Sequence, residues 1–161
     1  MTRLGRVIAA GVGVLMVAAA LLALRQQGRC VAVARGEALF QGATQFPGRL
    51  AGHAQALPTA ATRCVNCHGR SDDVAAIARA AGNTGWSASL VRTAPSLGHA
   101  TLAVLRSRRG GPASAYDAAA LCRLLRDGID PAQVVIAGAM PRYEPTEAQC
   151  ADLWAALSSQ P

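Results

Sequence analysis

Two cysteines and a histidine fall within five consecutive positions, Cys64, Cys67 and His68, and this CxxCH run constrains the chain more than any other feature. Thiols at i and i+3 on one turn can reach the two vinyl groups along one side of a porphyrin. An imidazole at i+4 then falls beneath the iron. The run reads as a covalent attachment site for one c-type haem, with Cys64 and Cys67 as anchors and His68 as the proximal ligand. The competing reading is a structural zinc knuckle, which needs Cys64, Cys67 and two further Cys or His in tetrahedral reach. His53, His99, Cys122 and Cys150 are the candidates, and none forms the second closely spaced pair of a zinc ribbon.

A haem that keeps six ligands needs a second axial group, usually a Met thioether or another His. Of the three methionines, Met1 starts the chain and Met16 lies in an apolar N-terminal run, which leaves Met140. Pro141 follows it, and a residue before proline is steered toward an extended backbone, so Met140 belongs to a stiff loop. His99 is the alternative and would give a lower-potential bis-His iron; an open sixth position is the third possibility. Ordinary core packing is the commoner fate of a buried methionine.

The rest of the chain reads as helices joined by irregular segments. A first helix is expected over about 33–41, followed by an insertion, 41–63, punctuated by Pro47, Gly48, Gly52 and Pro58. Ser71 can cap a helix over 72–81 that Gly82 closes. A short helix is expected near 101–106, and the Arg- and Gly-rich 106–112 stretch breaks it. Ser114 and Asp117 form an [ST]xx[DE] start for a helix ending at Gly128, with Leu121, Leu124 and Leu125 on one face. Thr146 and Gln149 open the last helix, where Cys150, Leu153, Trp154 and Leu157 recur at i, i+3, i+4 and i+7 and should be buried. No strand-length alternation stands out.

Hydrophobic residues make up 52% of the chain but aromatics only 4%, so a core of Ala, Leu and Val lacks large flat groups. All 16 basic residues are arginine. From Arg25 onward, 14 arginines face nine acids, a balance of +5, which suits an acidic protein partner or an anionic membrane surface. No aromatic-basic platform accompanies the charge, so nucleic acid is not an expected partner. Residues 7–24 carry no charge and follow Arg3 and Arg6; as a helix they would span about 27 Å, close to the hydrocarbon thickness of a bilayer. This segment reads as an uncleaved signal anchor or a cleaved signal peptide over 1–24, with a membrane-proximal linker over 25–34 and the folded domain over 35–161.

The CxxCH run, the Ala94, Pro95, Ser96, Leu97 segment after it, and Met140 with Pro141 late in the chain together resemble the small monohaem class I c-type cytochromes of bacteria. The likeness covers about 34–158. It implies an all-α, class I cytochrome c-like helical domain around one covalently bound haem, in which residues 36–40 belong to a first helix that crosses a last helix holding Leu153, Trp154 and Leu157. By the same resemblance the Pro95 carbonyl receives the other N–H of His68, a contact that orients a ligating imidazole. The chain departs from the family in its 41–63 insertion and in the length of chain between His68 and Met140.

The resemblance also implies export, because covalent haem attachment in that family happens outside the cytoplasmic membrane. A periplasmic domain, anchored or free, is therefore expected, and in an oxidising compartment Cys122 and Cys150 are the best pair for a disulfide. Cys30 lies in the linker and lacks a lipoprotein lead-in. Arg142 and Tyr143 follow Met140 closely enough to reach its loop, although exposure is the commoner outcome for such residues. Trp86 is read as packing, His53 as a surface histidine, and Arg106, Arg108 and Arg109 as a solvated turn or a steering patch. The functional expectation is an electron carrier, not an enzyme, exchanging single electrons with a protein donor and acceptor. The alternatives are a small haem oxidoreductase, which needs a vacant iron position and a positioned acid or base, and a cytochrome subunit of a dehydrogenase or oxidase complex.

Overall fold

The computed structural model describes residues 3–69, 94–95 and 97–160, with side chains described at 13 and from 15 onward within those ranges. The chain divides into two units, Met1–Val31 and Ala32–Pro161. The first unit is the leading part of a single helix, α1, Arg3–Gln41. Residues 25–34, expected as a membrane-proximal linker, lie within this helix; no proline interrupts them, and Ala, Arg and Gln are strong helix formers. Leu15, Met16, Leu21, Leu22 and Leu24 are exposed along it. Among the described residues no helix is long and apolar enough to cross a membrane, and the 7–24 run lies partly outside the described side chains. The expected 72–81 helix, Trp86 and Ser96 also lie outside the described residues.

Among its described residues the second unit is mostly helical, with four two-residue strands where an all-α domain was expected. After α1 come β1 (Gly48–Arg49), a 3₁₀ turn at Thr59–Ala61, α2 (Val65–His68), α3 (His99–Leu102), β2 (Arg106–Ser107), β3 (Ala113–Ser114), α4 (Ala118–Asp127), β4 (Arg142–Tyr143) and α5 (Glu147–Ser159). β2 and β3 form a small antiparallel hairpin with Arg106 opposite Ser114. β1 pairs antiparallel with β4, Gly48 opposite Tyr143, across almost the whole domain sequence.

Local chemistry sets the helix ends. The Thr146 hydroxyl accepts from the Gln149 amide at 3.2 Å while the Gln149 side chain accepts from the Thr146 amide at 2.9 Å, a reciprocal cap that starts α5. At α4 the start falls three residues later than the Ser114 signal suggests. Asp117 is the capping residue, its carboxylate accepting from the Ala120 amide at 2.7 Å, because Ser114 is held in β3. Gly128, at φ +71, ends α4 in the left-handed conformation that glycine adopts without steric penalty. The short helix expected near 101–106 begins earlier, at His99, and stops at Leu102, where the hairpin takes over the chain.

The core is aliphatic. Leu121, Leu124 and Leu125 of α4 are buried with Leu153 and Leu157 of α5 and with Leu39 and Phe40 of α1; Trp154 is only half-buried. A disulfide joins Cys122 to Cys150, and both residues are buried. Closing a loop of 28 residues by chain entropy contributes about 3.5 kcal/mol.

The last turns of α1 meet α5 at Gly36. A Cβ there would stand 2.0 Å from the Asp152 carbonyl oxygen and 2.7 Å from the Ala156 side chain, so only a glycine permits this approach. Next to it the Arg35 guanidinium donates to both oxygens of Asp152 at 2.6 and 2.8 Å and holds that carboxyl below its ordinary range. Replacing Gly36 by valine should lower unfolding free energy by about 3 kcal/mol, read from the denaturant midpoint. Because the folded Asp152 carboxyl is depressed, its contribution is complete above its unfolded pKa and disappears as pH falls through the lower folded value. Asp152→Asn should therefore flatten the acid limb of the stability profile and leave little pH dependence from this pair; an unchanged limb would contradict the pairing.

Candidate functional site

The single turn α2 sorts its side chains by position. The His68 and Cys67 amides donate back to the Cys64 carbonyl at 2.9 and 3.2 Å, which winds the CxxCH run tightly. Val65 is then buried in the core, and Asn66 faces away, its side chain donating to the Ala60 carbonyl at 2.8 Å. Cys64, Cys67 and His68 open onto a cavity of about 370 Å³. Its walls are supplied by Phe40 of α1, Leu121, Leu124 and Leu125 of α4, and Leu153 and Leu157 of α5. Pro95 and Met140 line the same cavity, so all five residues singled out in the sequence converge there.

The His68 Nδ1–H donates to the Pro95 carbonyl at 2.9 Å. That bond fixes the tautomer and leaves Nε2 with its lone pair. Burial lowers the His68 pKa, with the Pro95 carbonyl pulling the other way, so the imidazole is held neutral and able to ligate. Burial also pushes the Cys64 thiol up to about 11 and raises that of Cys67. Both are thiols, not thiolates, at neutral pH.

Met140 sits on a strap that four contacts pin. Its amide donates to the Ala137 carbonyl at 3.1 Å, closing a turn before Pro141. Directly after, β4 pairs with β1, the Tyr143 hydroxyl donates to the Thr62 carbonyl at 3.1 Å, and Phe46 meets the Tyr143 ring edge-on at 5.0 Å. Gly48, Phe46 and Thr62 all belong to the 41–63 insertion. That insertion is mostly irregular, as its prolines and glycines imply, but it braces the strap. Arg142 and Tyr143 are both buried, which corrects their expected exposure: each finds backbone carbonyls for its polar atoms. Nothing local in the sequence announces the burial of Tyr143, because its partners lie some 80 to 95 residues upstream.

Among the described residues the cavity lining includes Arg63, Arg106, Arg108 and Arg109 and no Asp or Glu. Arg108 is committed to the hairpin, donating to the carbonyls of Leu102, Val104 and Ser114 and lying 5.0 Å over the Tyr116 ring. Arg109 stands 3.8 Å from the buried Asp130 carboxylate, while Arg106 is exposed at the rim. The solvated-turn reading of this cluster is thus incomplete: its arginines face an apolar cavity, where they suit the carboxylates of an amphipathic ligand.

The alternatives fall elsewhere. His99 is exposed at the start of α3 and His53 is exposed in the insertion, and neither lines the cavity. Cys122 and Cys150 are bonded to each other and so withdrawn from any zinc set. Among the described residues no group of three or more His, Cys, Asp or Glu is placed to hold a metal ion, so a knuckle is not formed there. Cys30 is exposed on α1 with a free thiol.

Two half-buried thiols and one exposed thiol give a direct test. In the haem-free chain at neutral pH, iodoacetamide should modify Cys30 at least about tenfold faster than Cys64, and the Cys64 rate should climb steeply as pH approaches the raised pKa. Peptide mass spectrometry reads both; equal rates at neutral pH would contradict the burial. Comparison of the chain with protein-family models, with curated proteins and with solved structures finds no match in any of the three.

Proposed function

We propose that this chain is a monohaem c-type cytochrome of the class I kind, a carrier of single electrons between a protein donor and a protein acceptor. The observation that carries this reading is the convergence of Cys64, Cys67, His68 and Met140 on one apolar cavity, with the His68 ring already oriented by Pro95. Two thiols, an imidazole and a thioether are the donor set that covalent haem with His/Met ligation requires. The arginines among the described lining residues match the two propionates that such a group carries.

When bound, the haem supplies a one-electron iron couple. Cys64 and Cys67 would hold the group through two thioether bonds, each from addition of S–H to a vinyl group, so that no atom would be lost. His68 would hold the iron through Nε2, with its Nδ1–H donated to the Pro95 carbonyl. Met140 would supply a soft sulfur, which favours the reduced state more than a second imidazole would. Leu121, Leu124, Leu153 and Leu157 keep water out, which raises the potential further. Because Met140 would supply a second ligand, the carrier reading is preferred to an enzyme.

The charge-free 7–24 run behind Arg3 and Arg6 makes the N-terminal segment a signal anchor or a cleaved signal, and either delivers the domain to the periplasm. The positive balance of the domain favours an acidic docking face on the redox partner.

The test is expression of the full chain with c-type maturation in an exported compartment. The wild type should hold its pigment after denaturation and extraction, and Cys64→Ala with Cys67→Ala should hold none. A colourless mature wild type would overturn the reading. Met140→His should keep a low-spin haem but lower its midpoint potential, and an unchanged potential would remove Met140 from the iron.

A further inference from the structure

Arg142 is a buried guanidinium that no acidic side chain among the described residues contacts. Its donors go to the backbone instead: Nη1 to the Met140 carbonyl at 2.7 Å and Nη2, more weakly, to the Ile136 carbonyl at 3.4 Å. These two carbonyls bracket the turn that carries Met140. The guanidinium rests on Gly128, where a Cβ would stand 2.1 Å from Arg142 Cζ, so the left-handed glycine that ends α4 also makes room for the cation. A positive group at the C-terminal end of a helix lies where the helix dipole is negative, which favours it there without a carboxylate.

The segment beneath is itself cross-linked. Ile136 donates its amide to the Gly128 carbonyl at 2.9 Å, Ile129 pairs with Val135, and the Asp130 side chain accepts from the Val134 amide at 2.9 Å. Gly128 to Ile136 is therefore a braced platform, and Arg142 fastens the Met140 carbonyl to it.

We propose that Arg142 is a positioning residue which holds the Met140 strap so that its thioether competes successfully for the iron. The proposal rests on the haem reading above. Without this clamp the strap stays tethered on its far side by the β1–β4 pairing and the Tyr143 bond, but the Met140 backbone is free to swing at its near side. The consequence is local: sulfur leaves the iron more readily while the domain remains folded.

The experiment uses the full-length, haem-loaded protein and its Arg142→Gln, Arg142→Lys and Asp152→Asn variants. Affinity of the oxidised protein for added imidazole measures how easily Met140 is displaced, and the long-wavelength charge-transfer band of thioether-bound oxidised haem reports the ligand directly. Arg142→Gln should bind imidazole roughly tenfold more tightly, the loss expected for one charge-assisted hydrogen bond. Arg142→Lys keeps the charge but cannot span both carbonyls, and should gain roughly threefold. Asp152→Asn weakens the domain at the α1–α5 crossing, away from the strap, and should bind imidazole as the wild type does. Wild-type affinity in both Arg142 variants, or in Arg142→Lys alone should Arg142→Gln fail to accumulate, overturns the proposal. An equal gain in Asp152→Asn also overturns it, since general loosening would then suffice. A haem-loaded wild type that lacks the thioether band would instead remove Met140 from the iron, and the clamp's role with it.

Discussion

The close approach of α1 and α5 at Gly36 is the constraint on which the cavity depends. With hydrogen in place of a side chain, the α1 backbone lies against the Asp152 carbonyl and Ala156. The same turns then bring Phe40 alongside Leu153 and Leu157. Those three side chains form one wall of the cavity, and a wider separation would open it to water. The Arg35 to Asp152 pair sits at the edge of this crossing, where its strength is limited by the solvent exposure of Arg35.

The candidate ligand residues are assembled differently. α2 presents its two thiols and imidazole from one wound turn, while Met140 arrives on a strap held by β1, Thr62, Phe46 and Arg142. One half of the donor set is thus fixed by helix geometry within five residues, the other by contacts spread over some 95. The proposed haem would join these two halves, and a fold of low aromatic content gains from a large flat group at its centre.

Much of this was legible because the informative residues are local. The CxxCH run, the Thr146–Gln149 cap, the Gly128 stop and the leucine face of α4 each declare themselves within a turn or two, and the structure has them where their spacing puts them. The Cys122 to Cys150 link followed from two helices and a count of remaining thiols. What the residues did not declare is tertiary. Ser114 carries a helix-start pattern but is taken by β3, and Asp117 caps instead. The brace that the insertion gives to Tyr143, and the burial of Arg142 on backbone carbonyls, involve no sequence pattern, since any residue offers a carbonyl. Residues 25–34 read as a linker, and helix propensity gives them helical backbone within α1.

The disulfide between α4 and α5 has a mechanical corollary. It locks together two of the helices that supply leucines to the cavity, so that wall can neither part nor slide. Breathing of the cavity must then be taken up by the β2–β3 hairpin and the methionine strap, which no covalent cross-link holds. Solvent and small exogenous molecules accordingly gain admission from the arginine and methionine side, and the leucine wall acts as the anvil against which that side moves.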